Sequence, residues 1–409
     1  MTPPPVSYVD RLGTTYPLNS PRWCADAAEA DGSPMPLMLT DRTGGITRSQ
    51  IDASVRSLWR YSASFPLECA SPISLGEGCT PLVRRPFGSG GGEVHFKCEW
   101  FNPTCSFKDR GASVMLSLLR QQGVTHVLED SSGNGGAAVA CYATAGGLGA
   151  TIMAPSSTSP AKTVAMRAYG AEVELIPGSR QATADAAVAA HGREGRGGGS
   201  VFYASHAWHP FFLQGTKTLA YELWEDLGFR APDNVILPTG SSSWAGPGTR
   251  NVMGCDIGFG ELLAAGEISR RPRLFCAQPL ACSPICTAFL EESGRSDGKP
   301  TPEEWNAPVA TIAEGASIAR PVRLRETCDA LRRSGGGAVR VAEGAIKAAT
   351  LELARSGLYV EPTCAQAAAA YHELLASGAI QPAEVTVVVL TGTGVKATPR
   401  VAEILGVEL

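Results

Sequence analysis

The sequence lacks an uninterrupted apolar stretch of the length that a membrane-spanning helix needs, which is about 18 residues. An excess of positive charge is also missing, because 35 basic and 39 acidic side chains give a formal net charge of -4. This balance does not indicate a protein that binds nucleic acid through a basic face. The N-terminus shows no secretory signal pattern, so we expect a cytoplasmic protein with neither membrane nor nucleic-acid partners.

Lysine is scarce in this chain, and paired cysteines are absent. There are 7 lysines against 28 arginines, so each lysine can be considered individually. The 12 cysteines include no C-x-x-C pair, and a chain of 409 residues does not need disulfides to fold. We therefore expect most cysteines to be small buried hydrophobes, and we expect no metal site.

The order of apolar segments predicts the fold class. Hydrophobic residues make up 44% of the chain, which supports a large core. The predicted strands are Val94–Cys98, Thr125–Asp130, Ala150–Ala154, Glu172–Ile176, Asn234–Pro238, Arg273–Gln278 and Thr386–Leu390. The predicted helices are Ser49–Tyr61, Gly111–Gln122, Gly136–Ala145, Pro160–Tyr169, Thr183–His191, Phe211–Leu227, Ala342–Ser356 and Thr363–Ala376. Because strands and helices alternate, we expect an α/β protein with two three-layer lobes and mostly parallel sheets.

Three polar loops follow predicted strands, where an open parallel sheet binds its ligand. They are Asn102–Gly111, Asp130–Gly136 and Pro238–Gly246. The first loop carries Lys108 directly before a helix. The other two are rich in Ser and Gly, whose hydroxyl and backbone N–H groups suit an anion at a helix N-terminus. Each loop alone is equally compatible with an ordinary capped turn.

Taken together and in this order, the loops resemble the pyridoxal-phosphate (PLP) enzymes of the tryptophan-synthase-β fold, known as fold type II. The matching strings are G-E-G-C-T-P-L from Gly76, N-P-T-C-S-F-K-D-R-G from Asn102, S-G-N from Ser132, E-P-T from Glu361 and L-T-G-T-G-V-K from Leu390. Within this family the chain is most similar to threonine synthases. The resemblance implies PLP as cofactor, a small amino-acid substrate and a homodimer.

The resemblance also implies a division into domains. Residues 1–75 would form an N-terminal extension of the threonine-synthase type, and residues 112–206 a small mobile domain. Residues 76–111 and 207–409 would form the large PLP-binding domain. We expect PLP between the two lobes, with closure of the small domain excluding water from the reaction.

The residues expected to hold the cofactor take their roles from the motifs that they match. Lys108 would form the Schiff base with PLP and, once released by substrate, act as acid and base. Asn134 would bind the phenolic oxygen, and Thr391 would face the pyridine nitrogen. The residues that would hold the cofactor phosphate are Gly240, Ser241, Ser242 and Ser243.

The substrate carboxylate would bind Ser131, Ser132 and the backbone amide of Gly133. The loop has Gly135 at a position where the fold type often has Thr, so one hydroxyl is missing. Cys105 likewise stands where the family often has Gly, and we expect it to be a packing residue.

The segment that would bind the rest of the substrate departs from the family pattern. Threonine synthases typically carry N-P-x-R-x-x-G-Q-K-T, and this chain has H-P-F-F-L-Q-G-T-K-T, which places His209 at the Asn position and Phe212 at the Arg position. A phenyl ring cannot make the bidentate phosphate contacts of a guanidinium. Either Lys217 or Arg250 replaces the charge, or the pocket has a more aromatic, titratable wall made of His206, Trp208, His209 and Phe212. The structural alternative is that the two Phe rings are core residues at a helix start.

The sequence therefore predicts a PLP-dependent carbon–oxygen lyase or transferase that acts at Cβ or Cγ of a small L-amino acid. Conversion of O-phosphohomoserine to threonine ranks first. The alternatives are a cysteate-synthase-like β-replacement on O-phosphoserine and a serine or threonine ammonia-lyase. A PLP-binding protein without turnover is the alternative from another class, and the intact set of Lys108, Asn134 and Thr391 argues against it.

Overall fold

A computed structural model describes residues 6–40, 45–88, 92–158, 160–195, 198–240, 249–294, 311–316 and 321–408. The chain divides into two compact units. Unit 1 comprises Met1–Gly78, Lys108–Thr218 and Glu261–Glu267. Unit 2 comprises Cys79–Phe107, Leu219–Gly260 and Ile268–Leu409, so one boundary falls between Phe107 and Lys108.

Strands and helices alternate through most of the described residues. The strands are β1 Tyr8–Val9, β2 Thr15–Tyr16, β3 Cys24–Ala28, β4 Pro34–Pro36, β5 Met38–Leu39, β6 Leu82–Pro86, β7 Glu93–Cys98, β8 His126–Glu129, β9 Gly149–Pro155, β10 Glu172–Ile176, β11 Val201–Tyr203, β12 Asn234–Pro238, β13 Arg273–Pro279, β14 Gly337–Val341 and β15 Thr386–Leu390. The helices are α1 Lys108–Gln121, α2 Asn134–Ala145, α3 Pro160–Ala168, α4 Arg180–Ala190, α5 Pro210–Thr216, α6 Thr218–Asp226, α7 Thr249–Ala264, α8 Pro284–Glu292, α9 Leu324–Ser334, α10 Glu343–Arg355, α11 Pro362–Ala376 and α12 Thr398–Leu405.

Unit 1 is built on a parallel four-stranded sheet with the order β10-β9-β8-β11. Strand β8 is buried along its whole length, and its carboxyl end leads through the loop Asp130–Gly133 into α2. Gly136 in the first turn of α2 has no room for a side chain, because a Cβ there would overlap the carbonyl oxygen of Ser131. The strand therefore turns into the helix within a few residues, which exposes the loop at the carboxyl edge of the sheet.

Unit 2 contains a six-stranded sheet with the order β14-β13-β12-β15-β7-β6. All neighbouring strands in it are parallel except β6, which pairs antiparallel with β7. Strands β12 and β15 are fully buried, as their continuous apolar sequences indicate for a sheet that is covered on both faces. Because β7, β15 and β12 are parallel neighbours, the segments that follow Cys98, Leu390 and Pro238 begin at one edge of the sheet.

The predicted fold class is confirmed, since the main sheet of each unit is wholly or mostly parallel and the strands alternate with helices. Unit 1 also holds two small antiparallel sheets, β2-β1-β5 and β3-β4. Three strands, Glu172–Ile176, Asn234–Pro238 and Thr386–Leu390, have the predicted bounds. Strands β6, β11 and β14 and helices α7, α8, α9 and α12 are elements that the sequence patterns did not predict. Within the described ranges, no helix combines the length and apolar character that crossing a bilayer requires.

Two predicted helices are wrong as single elements. The helix expected over Ser49–Tyr61 is replaced by short 3-10 helices at Arg48–Gln50 and Leu58–Ser64. Between them, Oδ1 of Asp52 accepts a hydrogen bond from the backbone N–H of Ser54 at 3.0 Å, a local turn that competes with helix formation.

The helix expected over Phe211–Leu227 is divided at Lys217 into α5 and α6. The hydroxyl groups of Thr216 and Thr218 donate to carbonyl oxygens three residues earlier, at 3.1 and 2.7 Å. Such local bonds offer the backbone an alternative to the regular helical pattern, and the sequence period does not reveal them.

Candidate active site

Lys108 is the first residue of α1, and its side chain lies in the interior of unit 1. Only 1% of the residue is exposed, and Nζ lies 5.6 Å from the centroid of the Phe212 ring. The same ring covers Gly111, where a Cβ would overlap it. A buried lysine amine beside an aromatic ring is a candidate nucleophile or base.

The segment that precedes Lys108 is held against the segment that follows β15, and both belong to unit 2. The N–H of Phe107 donates to the carbonyl oxygen of Thr391 at 3.0 Å, and the N–H of Thr393 donates to that of Cys105 at 3.3 Å. Cys105 adopts a φ of 58°, the left-handed region that favours glycine. This backbone conformation accounts for the family preference for Gly at this position. The backbone contact of Cys105 with Thr393 explains its place in the site without a role for the thiol.

The polar groups in this part of unit 2 fit a bound cofactor. The Ser106 side chain is fully buried, and its Oγ has no hydrogen-bond partner among the described residues. Thr391 is also buried, so its hydroxyl is shielded from bulk water. A buried hydroxyl without a partner costs about 1–3 kcal/mol, which a polar ligand atom would relieve. Ser106 belongs to the S-F-K-D string but was not among the predicted site residues.

The loop after β8 presents polar groups at the N-terminus of the 12-residue helix α2. Oγ of Ser131 accepts the N–H of Gly133 at 3.4 Å, which closes the turn. Ser132 and Asn134 are half-buried, whereas Gly133 is exposed and a Cβ there would meet no atom within 4 Å. Open space therefore adjoins the helix N-terminus, where backbone N–H groups favour a carboxylate or phosphate.

A buried carboxylate–imidazole pair lies directly behind this loop. Glu129, the last residue of β8, accepts a hydrogen bond from the backbone N–H of His206 at 2.9 Å. Its carboxylate also lies 2.8 Å from Nδ1 of the His206 ring. Both residues are at most 1% exposed, and the His206 ring is 5.6 Å from that of Phe212. His206 was among the predicted candidates and Glu129 was not, although a carboxylate at the end of an apolar strand is a usable signal.

The carboxylate of Asp130, next along the chain, is held by a second set of partners. The Tyr203 hydroxyl donates to Oδ1 at 3.0 Å, and Arg180 Nη2 lies 3.2 Å from Oδ2. Burial, together with the nearby Asp130 charge, raises the pKa of Tyr203 well above its ordinary value, so Tyr203 stays protonated as a donor. The end of β11 and the start of α4 are thereby tied to the residue that follows β8, which fixes the position of the loop.

His206 fills the space beside Gly135, the position where the fold type often has Thr. A Cβ built on Gly135 would lie 2.6 Å from Cε1 of His206. The missing hydroxyl is therefore coupled to the presence of an imidazole at the same place. A side chain at position 135 and the imidazole of His206 would therefore compete for the same space.

We expect Gly135→Ala to destabilise the protein by about 1–3 kcal/mol, because the new methyl group overpacks against the His206 ring. The same change in a His206→Asn background should cost less, because the shorter side chain leaves room. Gly344→Ala in the first turn of α10 is the control, because a Cβ there would meet no atom within 4 Å and alanine favours a helix, so it should not destabilise. Thermal unfolding of wild type, the two single variants and the double variant measures the coupling, and equal costs in both backgrounds would contradict it.

The structure distinguishes the two residues expected to bind the rest of the substrate. Phe212 lies beside Lys108, as described above. His209 instead caps α5, since its Nδ1 accepts the backbone N–H of Phe211 at 3.2 Å. Its ring packs among Tyr8, Phe202 and Phe211. These contacts give His209 a structural role without requiring a substrate.

Neither basic residue named as a substitute for the missing arginine is a solvent-exposed charge. Lys217 donates to the carbonyl oxygen of Ser64 at 2.8 Å and pairs with Glu261 at 2.9 Å, all within unit 1. Arg250 lies in α7 of unit 2 and is 1% exposed. The charge of Lys217 is thus already compensated by a carboxylate, which weakens it as a phosphate ligand.

The residues expected at the cofactor phosphate are only partly described. Gly240 is buried and follows the carboxyl end of β12, whereas Ser241, Ser242 and Ser243 lie outside the described residues. Cys364 is a neighbour of Thr391 that the sequence analysis also missed, with Sγ 3.3 Å from Oγ1. Across the described ranges, no group of three or more His, Cys, Asp or Glu side chains could hold a metal ion.

Comparison with known proteins agrees with this geometry. Residues 73–392 match the family model described as pyridoxal-phosphate dependent enzyme. The threonine synthase of Methanocaldococcus jannaschii is 32% identical over 347 residues, which are 83% of this chain and 80% of the relative. That of Methanosarcina acetivorans is 30% identical over 354 residues, covering 85% and 82%.

A solved structure supports the fold. The L-serine ammonia-lyase of Rhizomucor miehei superposes with a TM-score of 0.64 at 18% identity, covering 82% of this chain and 99% of that one. The buried Lys108, the loop at α2 and the family match over most of the chain lead to one conclusion. The chain belongs to the family of pyridoxal-phosphate-dependent enzymes, uses pyridoxal 5'-phosphate as its cofactor and is threonine-synthase-like.

Proposed function

We propose that this enzyme eliminates or replaces a group at Cβ or Cγ of a small L-amino acid, with O-phosphohomoserine as the first substrate and threonine as the product. The observation that carries the proposal is the buried amine of Lys108 at the start of α1, beside the ring of Phe212. Relatives named threonine synthase at 32% and 30% identity support the choice of reaction.

The cofactor supplies an electron sink that stabilises negative charge at the substrate Cα. The Lys108 amine, which is proposed to bind it, takes the Cα proton from the substrate and returns protons later in the reaction. Asn134 is proposed to donate its side-chain amide to the phenolic oxygen of the cofactor. A hydroxyl at Thr391, rather than a carboxylate, leaves the pyridine nitrogen less protonated, which suits elimination over transamination.

The substrate carboxylate is proposed to bind the loop at the N-terminus of α2. Ser131 and Ser132 offer hydroxyl donors, and the backbone N–H of Gly133 would exchange its long 3.4 Å bond to Ser131 Oγ for one to the carboxylate. The positive end of the α2 dipole adds to this attraction. The cofactor phosphate is proposed to bind Gly240, Ser241, Ser242 and Ser243.

Phe212 favours a second candidate, a lyase that acts on serine or threonine. Its ring stands where a threonine synthase carries an arginine, and it lies 5.6 Å from both Lys108 Nζ and the His206 ring. Replacing a charged phosphate contact by a phenyl ring costs about 2–5 kcal/mol of binding. A hydroxyl leaving group would not require that contact.

Product analysis separates these candidates. The purified enzyme, supplied with PLP, is incubated with O-phospho-L-homoserine, O-phospho-L-serine, L-serine or L-threonine. Release of threonine and inorganic phosphate from O-phosphohomoserine is the expected result. An oxo acid and ammonia from serine or threonine alone would replace the proposal by the ammonia-lyase, and no product from any substrate would contradict both.

We further propose that the enzyme is a cytoplasmic homodimer, which is the expectation for this family. Light scattering of the purified protein should give twice the chain mass of 42.7 kDa. Residues 112–206 are proposed to move as a small domain when substrate binds. Slower amide exchange in these residues on substrate addition is the expected sign of that motion.

A further inference from the structure

Cys364 lies in the first turn of α11 and contacts the turn that follows β15. The backbone N–H of Gly392 donates to Sγ at 3.0 Å. Sγ also lies 3.2 Å from the carbonyl oxygen of Gly392 and 3.3 Å from the hydroxyl oxygen of Thr391. The cysteine is fully buried, so these contacts are shielded from water. One side chain therefore contacts both residues of the Thr391–Gly392 turn.

The backbone of this turn is held from two sides. Next to α11, the N–H of Glu361 donates to the carbonyl oxygen of Gly392 at 3.2 Å. On the other side, the N–H of Phe107 donates to the carbonyl oxygen of Thr391 at 3.0 Å. These bonds fix where Thr391 lies but leave the direction of its hydroxyl proton open. Among the described contacts, the thiol of Cys364 is the group that can set this direction.

The Cys364 thiol and the Thr391 hydroxyl each have one proton to donate, which limits how the two groups can hydrogen-bond. Burial, with the neighbouring Glu361 charge as a second cause, raises the pKa of the Cys364 thiol well above its ordinary value, so the thiol keeps its proton. If that proton points to the carbonyl oxygen of Gly392, or to Oε1 of Glu361 at 3.9 Å, the Thr391 hydroxyl can donate to Sγ. If it points to Oγ1 of Thr391, the threonine proton is released to donate elsewhere, for example to a nitrogen acceptor.

We propose that Cys364 is a positioning residue that donates to the Thr391 hydroxyl and thereby directs the threonine proton to the pyridine nitrogen of the cofactor. This inference rests on the role proposed for Thr391 in the preceding section. Cys364 itself touches neither substrate nor cofactor in this account. Its effect is exerted entirely through Thr391.

The test is a double-mutant cycle on cofactor binding. The dissociation constant of PLP is measured by titrating the apoenzyme of wild type, Cys364→Ala, Thr391→Ala and the double variant. We expect Cys364→Ala to weaken PLP binding about 3- to 10-fold, the equivalent of one hydrogen bond. In the Thr391→Ala background the same change should have no further effect.

Cys364→Ser is the conservative variant, because it keeps one donor and one acceptor, and it should bind PLP within about 2-fold of wild type. Thermal unfolding of each apoenzyme controls for folding. An unchanged PLP affinity in Cys364→Ala, or an equal loss with and without the Thr391 hydroxyl, would overturn the inference. Wild type that binds no PLP would instead overturn the proposed function.

Discussion

Lys108→Ala is expected to lower kcat by about 1,000-fold or more, because one change removes both the nucleophile and the acid–base group. The variant should still fold, since alanine adds no bulk beside the Phe212 ring and is a good helix former at the start of α1. Borohydride reduction followed by peptide mass spectrometry gives a second readout. In wild type the cofactor mass should be attached to the peptide that contains Lys108.

Lys347→Ala is the matched control, because Lys347 is an exposed lysine in α10. It should retain wild-type turnover and the same labelled peptide. Wild-type turnover in Lys108→Ala, or cofactor mass on a different lysine, would show that the reaction does not depend on Lys108.

Lys97→Met should lower the free energy of unfolding more than the Gly135→Ala variant described above. Nζ of Lys97 in β7 donates to the carbonyl oxygen of Thr80 at 2.7 Å and pairs with Asp226 at 2.8 Å and Glu222 at 3.0 Å, all in unit 2. Lys97 is fully buried and Glu222 nearly so. Removing one partner of a buried ion pair leaves an uncompensated charge and costs about 3–5 kcal/mol. Denaturant unfolding measures the loss.

The stability loss of Lys97→Met should depend on pH. Burial already raises the pKa of Asp226 above its ordinary value, although Lys97 opposes the shift. Without the Lys97 charge, the ionised forms of Asp226 and Glu222 become less favourable in the folded protein. A carboxyl group whose pKa is raised in the folded state lowers the free energy of unfolding as the pH increases. The deficit of Lys97→Met should therefore be larger at neutral pH than near pH 4, where carboxyl groups begin to protonate.

The neighbouring strand β6 offers a control for Lys97. Arg84 pairs with Glu93 across the same hairpin, but both side chains are well exposed. Arg84→Met should change stability by only about 0–1 kcal/mol. Similar losses in the two variants would show that burial of the Lys97 cluster is not what determines its contribution.

The sequence allows prediction of the sheets because burial on both faces requires continuous apolar runs. Strand Thr386–Leu390 was predictable for this reason, and its carboxyl end places Thr391 at the edge where a ligand is expected. The sequence motif also indicated that Lys108 lies close to a helix start, whereas its role in the reaction stays a prediction. By contrast, the helix predicted over Ser49–Tyr61 failed because side-chain bonds of Asp52 and Ser57 decide the local backbone.

Contacts between distant segments could not be predicted. Nothing in the spacing of Glu129 and His206 indicates that β8 and β11 are parallel neighbours, which is what brings the two side chains together. Similarly, Cys364 and Thr391 come into contact only because α11 begins beside the turn that follows β15. The position of Gly135 was noted as a departure from the family, but its physical reason, the His206 ring, required the fold.

The absorption spectrum of the purified protein supplied with PLP tests the central claim most directly, with O-phosphohomoserine then titrated in. We predict a visible band from cofactor bound to Lys108, which is absent in Lys108→Ala and shifts as substrate binds. A band that does not move with O-phosphohomoserine would retain the cofactor and reject that substrate. A wild-type protein without any such band would contradict the account that Lys108 holds PLP.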